Sequence, residues 1–295
     1  MKEFLRKIFS IDHLVAGVNL RNRALIYAYN NRKDYILADD KIETKVFLEK
    51  AGIPVPETYA IMEHVGNIQQ KWGKMNRYDS LAIKPAKGKG GGGIIVLFKD
   101  DNNNWASPSG KKMNTYEIKR HIANILFGVY SFGNSDRAII EYCIQTPDFF
   151  TNIYPDGVPD IRLITLKGEI IAAMLRIPTN ESDGKGNLHQ GALGVAVDIE
   201  TGILGQAYNY KTYLDYHPDT NAQIKGLKVP YWDKIIDITK KIAKISPLKY
   251  IGIDIVIDKK VGPLVMELNV RPGIEIQNVG KHGLLELINK KNIKI

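Results

Sequence analysis

The segment Leu81–Phe98, LAIKPAKGKGGGGIIVLF, constrains this chain more than any other. Two short β-rich runs, 81–84 and 94–98, flank a loop saturated with glycine and lysine. Gly88, Gly90 and Gly93 satisfy G-x-G-x-x-G, but a dinucleotide-binding unit needs a helix to open at the last glycine. The run IIVLF follows instead, a strand by length and branching. No Gly-Lys pair is followed by Ser or Thr, which excludes the P-loop. A strand–glycine loop–strand hairpin resembles the device with which kinases cover phosphates, yet neither H-R-D nor D-F-G follows. What remains is a basic loop whose successive N–H groups converge on an anion, with Lys84, Lys87 and Lys89 adding charge.

The rest of the chain predicts an α+β fold. DKIETKVFLEKAG reads as a helix capped by Asp40 and closed at Gly52. Residues 1–40 read as helical and then extended, ending in YILADD, and residues 62–76 as helical. Ile118, Ile122, Ile125 and Leu126 recur at helical spacing, and RAIIEYCIQ is a strand. After Pro159 the pattern changes to hairpins. DIRLITLKGEIIAAMLRI turns at Lys167-Gly168 and GVAVDIETGIL at Thr201-Gly202. WDKIIDITKKIAKI is an amphipathic helix, and YIGIDIVID and GPLVMELNV form a further pair of strands. A seam is expected near 141–160.

The 295 residues, 44% of them hydrophobic, suffice for a substantial core, and no apolar run is long enough to span a membrane. The N-terminus lacks a signal-peptide pattern and a single cysteine, Cys143, rules out an internal disulfide, so a cytoplasmic location is expected. The formal charge of +9 favours anionic partners, but paired aromatic runs of RNA-binding modules are missing, so nucleic acid is not an expected partner.

The second informative stretch is GIDIVIDKKVGPLVMELNVRPG. Strand alternation puts Glu267 and Asn269 on one face, and pairing of the two runs brings Asp254 opposite them. Three oxygen ligands on an apolar sheet are costly to bury alone, and a hard cation such as Mg2+ or Mn2+ resolves that cost.

Together these features resemble the ATP-grasp superfamily, and within it the RimK-like α-L-glutamate ligases and their ligase-related relatives. The pieces arrive in the family's order over roughly residues 40–280. The resemblance implies two α+β lobes with nucleotide held between antiparallel sheets and a reduced N-terminal region. The boundaries would be 1–40 for a short leading segment, 41–140 for a small lobe with the glycine lid, and 141–295 for a large lobe with the metal site. Lys41 and Lys84 would reach nucleotide phosphate, with Lys87, Gly88, Lys89, Gly90, Gly91, Gly92 and Gly93 as the lid. Glu141, Tyr142, Cys143 and Ile144 would line the adenine hinge, and Asp160, Lys185 and Asn187 would also bind nucleotide. Asp254, Glu267 and Asn269 would hold the metal, and Arg162, Lys84 and Arg271 would serve catalysis. Arg176 is a weaker candidate beside Arg162.

The implied cofactors are ATP and Mg2+ or Mn2+, and the implied activity is carboxylate–amine ligation through an acyl phosphate. Small-molecule or peptide substrates follow from it. A sugar or cell-envelope acceptor, or a non-catalytic nucleotide-binding regulator, stands as the alternative. His189 invites either a general-base or a structural reading, whereas Cys143, in an apolar strand, reads as packing. The insert QTPDFFTNIYPDGV departs from the family pattern. Donor, acceptor and oligomeric state are left open.

Overall fold

The structure is a computed structural model that describes residues 14–88 and 90–295. Lys89 of the glycine loop and the first thirteen residues of the expected N-terminal helix lie outside the described residues. The chain divides into two compact units, one of Asp40–Glu49 and Val55–Gln145, the other of Met1–Asp39, Lys50–Pro54 and Thr146–Ile295.

The smaller unit opens with helix α1 (Lys41–Lys50). Asp40 caps it, its Oδ1 accepting from the Ile42 amide at 3.0 Å. Strands β1 (Thr58–Met62), β2 (Ser80–Pro85), β3 (Ile95–Lys99), β4 (Trp105–Ala106) and β5 (Ala138–Glu141) form one antiparallel sheet in the order β1-β5-β2-β3-β4. Helix α2 (Thr115–Leu126) begins with a capping box between Asn114 and Glu117. It buries the expected Ile118, Ile122, Ile125 and Leu126 against Leu81, Ile83, Leu97, Trp72 and Trp105. The β2–β3 pair places Leu81 opposite Leu97 and Ile83 opposite Ile95, so the glycine loop is the tip of a true hairpin. At Gly93 (φ +76°) a Cβ would come within 2.5 Å of the Tyr130 ring, so both conformation and space require glycine there.

The larger unit is built on β6 (Asp160–Leu166), β7 (Glu169–Ile177), β8 (Leu193–Val197), β9 (Leu204–Tyr208), β10 (Tyr213–Leu214), β11 (Tyr250–Asp258) and β12 (Gly262–Asn269). These run antiparallel in the order β10-β9-β8-β7-β6-β11-β12. Lys167 (φ +50°) and Gly168 (φ +93°) make the two-residue turn between β6 and β7, whose twist matches the strands it joins. Helix α3 (Trp232–Ile245) buries Trp232, Ile235, Ile238 and Ile242, the apolar stripe read from its sequence. Helix α4 (Ile276–Gly280) packs against β8 and β7.

Residues 14–39 differ from the expectation of a terminal extended stretch. Ile36–Asp39 is a helical turn, and a 3-10 turn, Arg32–Tyr35, precedes it. The turn carries Tyr35 inward, where the Arg271 guanidinium lies 5.1 Å from its ring centre. The same segment is strapped to its own unit by side chains. Asn30 donates to the Tyr250 carbonyl at 2.7 Å and accepts from the Lys249 and Tyr250 amides. Arg21 donates to the Pro272 carbonyl at 2.9 Å, and Gln277 exchanges hydrogen bonds with both backbone groups of Ala16. Among the described residues no helix is long and apolar enough to cross a membrane.

Candidate functional site

In the smaller unit, Lys84 and Glu141 project from the same face of adjacent strands β2 and β5. Glu141 is buried and takes an ammonium on each carboxylate oxygen: Lys84 at 2.5 Å and Lys45 at 2.7 Å. Lys45 also donates to the Pro56 carbonyl at 2.5 Å, and burial lowers its pKa against the pull of Glu141. Lys41, one turn before Lys45 on α1, donates to the Gly88 carbonyl at 2.7 Å and so tethers the start of the glycine loop. The Lys87 amide donates to Asp136 at 3.1 Å, while Gly90, Gly91 and Gly92 are exposed. Just past β5, the Tyr142 amide donates to the Glu57 carbonyl at 2.8 Å, and Cys143 is buried with its thiol toward the Ile144 carbonyl.

The far end of the loop is held by His121, whose Nε2 meets the Gly93 carbonyl at 2.8 Å and whose Nδ1 meets the Tyr130 hydroxyl at 3.3 Å. Burial lowers the His121 pKa against the pull of the Gly93 carbonyl. The unfolded chain therefore binds the proton more readily. This contribution to stability is present above the ordinary histidine range and is lost as pH falls through the folded value. We expect His121→Gln, which keeps a side-chain donor, to melt with a shallower decline between pH 7.5 and pH 5 than the parent. Parallel thermal melts measure it, and equal slopes would exclude the His121 contribution.

In the larger unit, period-2 alternation lines up one charged face across four strands. It carries Asp160 and Arg162 of β6, Arg176 of β7, Asp254 of β11, and Glu267 and Asn269 of β12. Asp254 stands directly opposite both Arg162 and Glu267. Arg162 forks onto Asp254, with Nε to Oδ1 at 2.7 Å and Nη2 to Oδ2 at 2.6 Å. Arg176 forks onto Asp160 and reaches Asp254 Oδ2 with Nη2 at 2.9 Å. The Asn269 amide donates to Asp254 Oδ2 at 3.0 Å and to Glu267 Oε1 at 3.2 Å. Burial pushes the Asp254 carboxyl up, but Arg162 and Arg176 together hold it well below the usual carboxylate range. Asp160 goes the other way, pushed up to about 6 by burial and neighbouring Asp254 against the pull of Arg176.

The structure thus brings Asp160, Arg162, Asp254, Glu267 and Asn269 together, with Arg176 reaching in from β7, the outermost of these four strands, to Asp160 and Asp254. Arg271 is not among them. It is partly exposed, 3.9 Å from Asp39 and over Tyr35. Lys185 is exposed, 3.7 Å from Asp183. Asn187 caps the short turn Leu188–Gln190 by accepting from the His189 amide at 3.1 Å. Gly186 lies against the charged face, where a Cβ would sit 3.6 Å from Arg176 Cβ and 3.9 Å from Asp160 Cγ. Sequence reasoning does not pick out Lys45, although its spacing of four from Lys41 on one helix face is a signal.

The model of one protein family, described as sugar-transfer associated ATP-grasp, matches residues 20–293. The chain belongs to the sugar-transfer associated ATP-grasp family. Among solved structures, D-alanyl-alanine synthetase A from Vibrio cholerae matches with a TM-score of 0.50 at 13% identity, over 86% of this chain and 63% of that one. A biotin carboxylase–β,γ-ATP complex from Campylobacter jejuni matches with a TM-score of 0.52 at 15% identity, over 86% and 46%. Both share the ATP-grasp fold with this chain, which spans less than two thirds of either. No curated protein shows a significant match.

The charged face of this ATP-grasp chain can be tested for a fit to a cation. Three carboxylates (Asp160, Asp254, Glu267) face two guanidiniums (Arg162, Arg176), which leaves one negative charge toward the Glu267 end. The Asn269 amide nitrogen bridges Asp254 and Glu267, so positive partial charge already occupies the point between them. Among the described residues no group of three or more His, Cys, Asp or Glu is placed to hold a metal ion. Arg162, Arg176 and Asn269 engage both Asp254 oxygens, so any Mg2+ bound here would take one or two carboxylates and complete its shell with phosphate oxygens rather than sit in an all-protein cage.

Proposed function

We propose that this sugar-transfer associated ATP-grasp chain is an ATP-dependent ligase that activates a carboxylate as its acyl phosphate and passes the acyl group to an amine. The observation that carries this reading is the convergence of Asp254, Glu267 and Asn269 beside two forked arginines. Asp254, Glu267 and Asn269 would hold Mg2+, which neutralises charge on the transferred phosphoryl group when bound. Lys41 and Lys84 would grip nucleotide phosphates, and the loop from Lys87 to Gly93 would exclude water from them. Glu141 holds Lys84 in place. Arg162 and Arg176, pinned by Asp254 and Asp160, offer fixed positive charge toward the acyl group and its developing oxyanion. The hinge roles of Tyr142, Cys143 and Ile144, and the phosphate roles of Lys185 and Asn187, belong to the same proposal.

The family's description, sugar-transfer associated, favours the sugar-related alternative over the glutamate ligation of RimK-like enzymes. The intact Asp254–Glu267–Asn269 set speaks against a non-catalytic regulator.

ATP with Mg2+ is expected to raise the melting temperature, and ATP with excess chelator to raise it less. ADP release that requires both an added carboxylate and an added amine, screened over a panel of each, would identify the ligase. ADP release that is indifferent to both would overturn it. Lys84→Ala is expected to weaken nucleotide binding about tenfold or more in a direct titration, as expected for a lost charge-assisted contact. Unchanged affinity would remove Lys84 from the nucleotide site.

A further inference from the structure

The larger unit contains a pocket of about 400 Å³ to which nothing above gives a task. Its lining includes Thr179, Glu181, His189, Tyr210, Lys211 and Asp219. Two chain segments leave the charged face and meet again beside it. One runs from Gly186, where a Cβ would meet Arg176 and Asp160, to His189. Three residues of chain reach at most about 11 Å, so His189 stays close to that face. The other runs from Asn269 to Glu275. They join where His189 Nε2 approaches Glu275 Oε1 at 3.5 Å. On its other side, His189 Nδ1 meets the Tyr210 hydroxyl at 3.1 Å.

The His189 imidazole, in the pocket lining, thus has the Tyr210 phenol on one nitrogen and the Glu275 carboxylate near the other. The His189 side chain is 67% exposed, so it is open to a ligand and is not core packing. Tyr210 takes a left-handed conformation (φ +68°), an unfavourable choice for a tyrosine that sets the ring toward His189. Burial pushes the Tyr210 phenol up to about 12, with Glu275 adding to the effect, which keeps it a neutral hydrogen-bonding group.

The charge balance selects the ligand. Glu181 and Asp219 line the pocket against the single cation Lys211, and Glu275 stands behind His189, which makes the site locally acidic in a chain of net charge +9. An anionic acceptor would be repelled there and an ammonium attracted. The Thr179 hydroxyl is tied to Gly191 and Ser182 and the Asn209 oxygen to the Lys211 and Thr212 amides, so the Tyr210 ring and hydroxyl are the polar and flat surface left for the rest of the ligand.

We propose that this pocket receives the acceptor of the reaction as a primary ammonium on a small polar carrier, recognised by Glu275, His189 and Tyr210. The ammonium gives one proton to water before its nitrogen attacks the acyl carbon, and inorganic phosphate leaves as the C–N bond forms. The inference rests on the ligase reading for its place in the reaction, but the pocket's amine selectivity can be tested without turnover.

The full chain, saturated with ATP analogue and Mg2+, is titrated with glucosamine, and with glucose as the amine-free control. The histidine ring signals are followed by NMR, with His189 assigned by its loss in His189→Gln. Glucosamine is expected to move the His189 signal, and glucose to leave it in place at the same concentration. Glu275→Gln and Tyr210→Phe, each checked for an unchanged melting temperature, are expected to weaken the glucosamine response about tenfold. Equal responses to both sugars, no response to either, or a response untouched by both variants would overturn the proposal. A nucleotide-induced rise in melting temperature that persists through such a failure would leave the nucleotide site standing. A glucosamine response without any nucleotide effect would sink the ligase reading and keep the pocket.

Discussion

Glu141→Gln is expected to destabilise the protein by about 3–5 kcal/mol, the usual cost of removing one partner from a buried ion pair. Glu141 is essentially inaccessible, and so are the two ammonium groups it serves, Lys45 and Lys84. Without the carboxylate, two like charges share a low-dielectric space with only the Pro56 carbonyl to receive Lys45. Urea unfolding of parent and variant measures the loss. Pairing the change with Lys45→Met should restore part of it, because one of the two stranded charges is removed. A loss below about 1 kcal/mol would mean that water reaches the cluster and that the pair behaves as a surface salt bridge. The expected size also shows why Lys84 is placed where it is. On the proposed reading, Glu141 would hold the Lys84 ammonium at a fixed place in the sheet, ready for a phosphate oxygen.

Glu267→Gln is expected to do the opposite: leave the fold and abolish turnover. Glu267 is half-buried, and Asn269 can donate to the glutamine side-chain oxygen as it does to the carboxylate. The melting temperature should move by no more than a few degrees. With Glu267 in its proposed role as a metal ligand, its loss should lower activity by about 100-fold or more, since even supporting partners of metal ligands are worth 10–100-fold. Mg2+ dependence is the diagnostic. The variant should need a much higher concentration for half-maximal ADP release. Full activity at the parent's Mg2+ requirement would remove Glu267 from the metal set.

The sequence was most legible where a period dominated. The alternation Glu267–Leu268–Asn269 and the apolar run around Asp254 put three polar side chains on one face, and the register Asp254 opposite Glu267 is the pairing those runs require. The helical spacing of Ile118, Ile122 and Ile125 and the Lys167-Gly168 turn were equally plain. Partner choice was not legible. Glu141 reads as a hinge residue by its place in AIIEYCI, yet its side chain answers to Lys45 and Lys84, which approach from different elements. Arg176 looks secondary in sequence because its importance comes from lying opposite Asp160 and within reach of Asp254 at once. Tyr210 and Glu275 carry no local pattern at all, since they meet His189 only through the long return of the chain. The extended expectation for YILADD failed because a short apolar run offers no period long enough to separate a strand from a helical turn.

The straps at Ala16, Arg21 and Asn30 bear on how this protein can be cut. By motif the nucleotide-binding region begins at Lys41, and an expression fragment started there would look complete on paper. It would leave the first strand of the Asp254 hairpin without Asn30 on the backbone of Tyr250, and the turn after Asn269 without Arg21 on Pro272. Trimming from the front would therefore loosen the acidic end of the machinery, some two hundred positions further along the chain.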